Sequence, residues 1–147
     1  MKKTQKGFKL IELLVVIAII GILASVVLTS LNSARKKGQD GKVKSQVAQV
    51  AAAAAIYYDN NNGSYGTGAT CTTAGSMWMD TASSMSTYAG APVAGTWPGG
   101  VACNASGQAY AFMAQLSTDT TKAFCIDSTG ITKTVTWATT LAGQVCP

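Results

Sequence analysis

Histidine is absent from this 147-residue chain, and aspartate and glutamate together number only six. Without histidine the chain has no ordinary Ser-His or Cys-His nucleophile pair and lacks a common zinc ligand. The acids are scattered, so an acid pair requires a pocket that brings Asp119 and Asp127 together. We therefore predict a non-enzymatic protein with no catalytic residue, no metal site and no cofactor.

Closely spaced cysteine pairs are also absent, although the chain has four cysteines. They are an even number, widely spaced, and all lie beyond the apolar N-terminal segment: Cys71, Cys103, Cys125 and Cys146. This pattern favours disulfides in an oxidising compartment over a zinc or thioredoxin-like site. Three pairings are possible, and we favour Cys71 with Cys103 and Cys125 with Cys146 because both loops stay local. Each closure contributes on the order of 3 kcal/mol.

One long apolar run is present, from Leu10 to Leu28, and its only charge is Glu12. A carboxylate near the end of a membrane helix costs about 1–3 kcal/mol, so we predict that Glu12 has a partner. In a plain signal-anchor helix that partner would be Lys9, three residues earlier on the same face.

The segment before the apolar run predicts processing. Lysines dominate residues 1–6, and Gly7 follows them. An ordinary signal peptide has its small-residue cleavage site after the apolar region, whereas here the favoured cut precedes it. Cleavage after Gly7 would leave Phe8 as the N-terminus, with Glu12 one helical turn away. Residues 7–24 closely resemble the class III leader and N-terminal helix of type IV prepilins and the related pseudopilins.

The resemblance implies roles for individual residues. A prepilin peptidase would cut between Gly7 and Phe8 and methylate the amine of Phe8, and the helix would anchor the subunit in the inner membrane until assembly. Glu12 would neutralise the terminal amine of a neighbouring subunit, because opposite charges attract strongly in a dry filament core. Lys9 departs from the family, which usually has a small polar residue there, and an intrahelical Lys9 to Glu12 pair would compete.

The predicted fold class is α+β, with a long N-terminal helix packed on a small antiparallel sheet, as in the pilin "ladle" fold. Helical spacing continues past the membrane segment through Val43, Val47, Val50, Ala54 and Tyr57. Segments 109–116, 122–127 and 131–137 are β-prone. The predicted boundaries are a cleaved leader at 1–7, an anchor helix at 8–34, an amphipathic half at 35–60, and a head at 61–147 with a loop region at 61–108 and the sheet at 109–147.

Three further features keep alternatives open. A basic cluster follows the anchor: Arg35, Lys36, Lys37, Lys42 and Lys44. It is compatible with DNA, with anionic lipid headgroups, or with acids of neighbouring subunits, and the last is the commonest use of such a helix. The cluster around Asp59 and Asn61 favours a helix C-cap over a calcium loop. Asn62 and Asn104 match the N-glycosylation acceptor pattern.

Three functions are compatible with these residues. The first is the major subunit of a type IV pilus, a helical homopolymer on the cell surface for adhesion, twitching motility or DNA uptake. Its partners would be the prepilin peptidase, the assembly platform and motor, and DNA or a host or surface ligand. The second is a pseudopilin of a type II secretion or competence system. The third is a monomeric membrane-anchored module whose loop with Trp78, Tyr88 and Trp97 grips a ligand, which requires those aromatics to be exposed.

Overall fold

The computed structural model describes residues 9–88, 97 and 99–147, so the predicted leader, Gly7 and Phe8 lie outside the described residues. The elements are α1 (Leu10–Asn60), a 3-10 helix (Met77–Met79), α2 (Met85–Tyr88), β1 (Val101–Ser106), β2 (Ala109–Gln115), β3 (Lys122–Asp127) and β4 (Thr132–Thr136). The chain divides into two units, Met1–Arg35 and Lys36–Pro147. The second unit contains the C-terminal half of α1, and we keep the name head for its residues 61–147.

The end of α1 is a C-cap. Asn62 and Gly63 adopt positive φ angles of 54° and 74°, the conformation that ends many helices. The backbone N–H of Gly63 donates to the carbonyl of Tyr58 at 3.0 Å, and Asn61 Nδ2 donates to the carbonyl of Tyr57 at 2.8 Å. These bonds satisfy carbonyls that the helix leaves free, so the cluster has the C-cap that the sequence favoured.

The four strands form one antiparallel sheet in the order β1-β2-β3-β4. The three β-prone segments match β2, β3 and β4, and the α+β prediction is confirmed. The sheet nevertheless begins earlier than residue 109, because β1 lies inside the segment predicted as a loop with short pieces of structure. The sequence of β1 has a single β-branched residue, Val101. Its pairing with β2, from Val101 opposite Ala114 to Ser106 opposite Ala109, is a tertiary effect.

One face of the sheet packs on α1. The helix buries Val43, Val47 and Val50, each at most 1% exposed, at the spacing of one helical stripe. Alternate residues of β2 on this face complete the core, including Phe112, which is fully buried. The same cluster includes Ala53, Ala54, Tyr57, Met77, Trp78, Met85, Tyr110, Ala114 and Ile126.

The opposite face of the sheet is covered by the C-terminal segment, residues 138–147. Leu141 and Cys146 pack there with Ala111 and Met113 of β2. The central strand is therefore buried on both faces, which explains why its burial does not alternate.

Two disulfides attach loops to this sheet. Cys71 is bonded to Cys103 of β1, with Cα atoms 5.1 Å apart. Cys125 of β3 is bonded to Cys146, with Cα atoms 5.9 Å apart. These are the two pairs that the sequence favoured. The first holds the long loop after α1 against the edge strand, and the second holds the C-terminal segment on the outer face.

Asp40 makes a polar connection between α1 and the sheet. Its carboxylate is 8% exposed and accepts hydrogen bonds from the backbone N–H groups of Ser117, at 2.5 Å, and Thr118, at 3.3 Å. The hydroxyl of Thr118 donates to the same carboxylate. The β2–β3 loop is thereby fixed to the first turn of α1 that the head buries. Asp40 is in register with the buried stripe of the helix, and this is the sequence signal that could have identified it.

We expect Asp40→Ala to lower the free energy of unfolding by about 1–3 kcal/mol, because it leaves two backbone donors of the β2–β3 loop without an acceptor in a partly buried site. Thermal and denaturant unfolding followed by circular dichroism, in detergent, would measure the change. Asp59→Ala is the matched control, since Asp59 is exposed and we expect a change within about 0.5 kcal/mol. Equal stability of the two variants would show that the connection has no net stabilising effect.

Candidate assembly site

The N-terminal half of α1 exposes an apolar surface. Its large apolar side chains, from Leu10 to Leu31, are 47–76% exposed. The best 18-residue window of the helix has a mean hydropathy of 3.0, and none of that window is buried within the chain. By length and composition this helix can cross a membrane. The residues are Leu10, Ile11, Leu13, Leu14, Val15, Val16, Ile17, Ile19, Ile20, Ile22, Leu23, Val26, Val27, Leu28 and Leu31.

The hydroxyl side chains within this surface are satisfied internally. Ser25 Oγ donates to the carbonyl of Ile22 at 2.7 Å, and Thr29 Oγ1 donates to the carbonyl of Val26 at 2.9 Å. Such bonds to the preceding turn remove the cost of placing a hydroxyl in an apolar medium. Ser25 and Thr29 are therefore compatible with a lipid or protein environment.

Glu12 lies in the first turn of α1 and caps the helix. Its Oε2 accepts a hydrogen bond from the backbone N–H of Lys9 at 3.3 Å, and its own N–H donates to the carbonyl of Lys9 at 3.0 Å. This is the carboxylate half of a capping box. In the described part of the chain the ammonium group of Lys9 makes no ion pair with Glu12, so the expected competition between side chains is replaced by a backbone contact.

The aromatic residues of the loop before β1 belong to the core. Trp78 is 0% exposed, and its Nε1 donates to the carbonyl of Gly68 at 3.2 Å. Tyr88 and Trp97 are partly buried against the same cluster, with the Trp97 ring 5.6 Å from that of Phe112. The prediction of a ligand-gripping aromatic loop is wrong for Trp78, because its ring and its donor are both occupied. Residues 89–96 and 98 lie outside the described residues.

The two acids considered as a catalytic pair are separated by a strand. Asp119 precedes β3 and Asp127 ends it, so about 17 Å of strand lies between them at 3.3 Å per residue. Asp119 accepts from Thr121 N–H at 2.9 Å and pairs with Lys122 at 3.7 Å. Both acids therefore organise turns, and the pocket that an acid pair would need does not form between them.

Asp127 connects a turn to the C-terminal segment. It is 2% exposed and accepts from the backbone N–H of Thr129 and of Cys146, both at 3.0 Å, and from the Thr129 hydroxyl at 2.5 Å. Burial acts to raise the pKa of this carboxyl, but the hydrogen bonds from Cys146 and Thr129 outweigh it and hold the pKa below its usual range. Asp127 is thus ionised at neutral pH and reinforces the adjacent Cys125–Cys146 bond.

The two glycosylation patterns differ in accessibility. Asn104 is partly buried, and its amide donates to the carbonyl of Leu141 at 2.9 Å and accepts from Gln144 Nε2 at 3.1 Å. That side chain is committed to holding the C-terminal segment. Asn62 is exposed in the turn after α1.

The comparisons with known proteins each match less than half of the chain. Residues 2–28 match a family model described as the prokaryotic N-terminal methylation motif. The chain is 43% identical over 60 residues to the type IV wide pilus major component PilA4 of Thermus thermophilus. The aligned region covers 41% of this chain and 46% of that protein. It is 44% identical over 50 residues to the type IV major fimbrial protein FimA of Dichelobacter nodosus, covering 34% and 32% of the two chains.

A third relative comes from a different apparatus. The type II secretion system core protein G of Aeromonas hydrophila is 39% identical over 61 residues, covering 42% of this chain and 43% of that protein. The matched region thus spans less than half the length of each of these relatives. No solved structure matches the chain significantly.

We expect Asp127→Asn to lower the free energy of unfolding at neutral pH by about 1–3 kcal/mol, because a charged acceptor of buried hydrogen bonds is lost. The native pKa lies below the ordinary value of about 4, so this stabilisation is complete above pH 4 and is lost as pH falls through the native pKa. Unfolding curves of both proteins between neutral and strongly acid pH should therefore converge at low pH. A difference that is constant over the whole range would contradict the assigned role.

Proposed function

We propose that this chain, a member of the type IV pilin and pseudopilin superfamily by its N-terminal helix, is the major structural subunit of a type IV pilus. The observation that carries the proposal is the exposed apolar N-terminal half of α1, with one carboxylate in its first turn, joined to a disulfide-bonded head. The large apolar surface requires lipid before assembly and other copies of the helix afterwards. The similarity to subunits of two pilus systems supports this function.

Processing prepares the helix for assembly. A prepilin peptidase cleaves between Gly7 and Phe8 and methylates the new amine of Phe8, and the subunit waits in the inner membrane with its head outside the cytoplasm. Within the filament, Glu12 accepts the terminal amine of a neighbouring subunit, which fixes the axial register of the two helices. The platform and motor of the assembly apparatus drive this transfer, and the pilus serves adhesion, twitching motility or DNA uptake.

A pseudopilin of a type II secretion or competence system is the second candidate. It is favoured by the 39% identity to a secretion-system core protein, and it would use the same helix and the same carboxylate. The two disulfides of the head favour a filament exposed outside the cell, where covalent bonds protect a small domain. A binding module that stays monomeric in the membrane is disfavoured by the burial of Trp78.

Mass spectrometry of sheared surface filaments, without reducing agent, tests the proposal. We expect a mature chain that begins at methylated Phe8 and is lighter by two protons for each of two disulfides. A chain recovered only from membranes, with Met1 and the leader intact, would contradict pilin processing. Processed protein that is absent from the sheared fraction, together with failure of protein secretion when the gene is deleted, would instead favour the pseudopilin.

The role of Glu12 is tested by Glu12→Gln, which keeps size and hydrogen bonding but removes the charge. We expect normal cleavage and membrane insertion, with filament yield reduced at least tenfold, since about 1.4 kcal/mol of lost pairing energy already corresponds to a factor of ten. Lys9→Gln is the matched control and should assemble normally, because the backbone N–H and not the ammonium of Lys9 contacts Glu12. Normal filament yield from Glu12→Gln would exclude the ionic role.

A further inference from the structure

The basic cluster on α1 contains cations without partners among the described residues. Arg35, Lys36, Lys37 and Lys42 are exposed, whereas the ammonium of Lys44 lies 5.6 Å from the centre of the Phe124 ring. The ion pair found among the described residues joins Lys122 and Asp119, far along the chain. The first four cations of the cluster are therefore available to a partner outside the chain.

The acid within the cluster does not neutralise it. Asp40 follows Lys36 by one helical turn, the separation at which a Lys–Asp pair normally forms. Its carboxylate is instead turned into the head, where Ser117 and Thr118 donate three hydrogen bonds to it. Asp40 is the only acid of the C-terminal half of the helix before Asp59. The positive charge of the surrounding turns is therefore not neutralised within the helix.

Helix geometry fixes where these cations lie relative to the apolar surface. Leu10 and Leu31 are the first and last of the exposed large apolar residues, and they are about 32 Å apart along α1 at 1.5 Å per residue. This length matches the hydrocarbon thickness of a bilayer, about 30 Å. Arg35, Lys36 and Lys37 follow Leu31 by about 6–9 Å, which places them at the polar headgroup region, about 5–8 Å thick on each side of the hydrocarbon.

The three consecutive cations also surround the helix. Successive residues of an α-helix are separated by about 100°, so Arg35, Lys36 and Lys37 project toward three different sides. A DNA duplex would contact one side of α1, whereas lipid headgroups surround a helix that crosses the membrane, as several neighbouring subunits would in a filament. The arrangement therefore fits a lipid surface better than a one-sided partner.

We propose that Arg35, Lys36 and Lys37 form a binding site for the phosphates of anionic phospholipids in the leaflet next to the head. This inference rests on the proposed membrane-anchored state of the subunit before assembly. The bound phosphates fix the depth of the apolar segment in the bilayer. They also raise the free energy needed to extract the subunit from the bilayer, because each cation near an anionic surface is attracted to it individually.

Native mass spectrometry of the full-length chain, released from vesicles of equal phosphatidylcholine and phosphatidylglycerol content, tests the site. We expect retained lipid to be mainly phosphatidylglycerol. Lys36→Gln with Lys37→Gln should reduce this preference about tenfold, and high salt during lipid exchange should weaken it as well. The matched control removes the same charge from the head, with Lys122→Gln and Lys133→Gln, and should keep the preference.

Failure of this proposal is distinguishable from failure of the proposed function. If the native chain resists alkaline carbonate extraction but shows no lipid preference, the lipid site is overturned and the anchor stays intact. An unchanged preference in the double variant Lys36→Gln with Lys37→Gln, with the same resistance to extraction, would have the same meaning. Unchanged lipid preference with loss of filaments in that variant would assign the cations to neighbouring subunits instead. Extraction of the native chain by carbonate from every vesicle would overturn both the anchor and the lipid site.

Discussion

The exposed apolar surface of α1 is the constraint on which the rest of the molecule depends. Burial of apolar area is favourable by about 25 cal/mol per Å², and none of the best membrane-spanning window is buried within the chain. A surface of this kind is unfavourable in water, so we expect it to be covered by lipid or by protein. The head must then fold around the C-terminal half of the same helix without using its N-terminal half. The buried positions of α1 meet this requirement, because all of them lie between Asp40 and Tyr57.

The head packs on one stripe of one helix and contains few large aliphatic side chains. Alanine fills several positions between helix and sheet, including Ala53, Ala54 and Ala114, and small side chains let the layers approach closely. Large aromatic side chains fill the rest of the core. The ring centre of Trp78 is about 6 Å from those of Tyr110 and Phe112. The second layer, the C-terminal segment, is too short to form a core of its own and is held by Cys146, by Asp127 and by Asn104. Disulfides therefore stabilise a domain whose apolar burial is modest for its size.

The fold could be predicted where local sequence and tertiary structure agree. The apolar run, the helical stripe through Val43, Val47 and Val50, and the strands β2 to β4 all have patterns that match their environment. The first strand could not be predicted, because its short, alanine-containing sequence is held by pairing with β2 and by Cys103. The burial of Trp78 could not be predicted, because the segment around it has no periodic apolar pattern. Its hydrogen-bond acceptor, Gly68, is ten residues away, and the ring of Phe112 that it packs against belongs to β2.

Two acids of the same helix show how similar residues acquire different roles. Asp40 accepts three hydrogen bonds from a loop whose residues are 77 and 78 positions away, so most of the accepting capacity of its carboxylate is used inside the head. Glu12 accepts, among the described residues, a single bond from the backbone N–H three positions earlier. A carboxylate can accept about four hydrogen bonds, so Glu12 retains capacity for a further donor while its own cap stays in place. In an apolar environment that unused capacity is costly, and a cationic donor from outside the chain would remove the cost. This difference in hydrogen bonding, which no local pattern reveals, separates the acid that fixes the head from the acid that we propose joins one subunit to another.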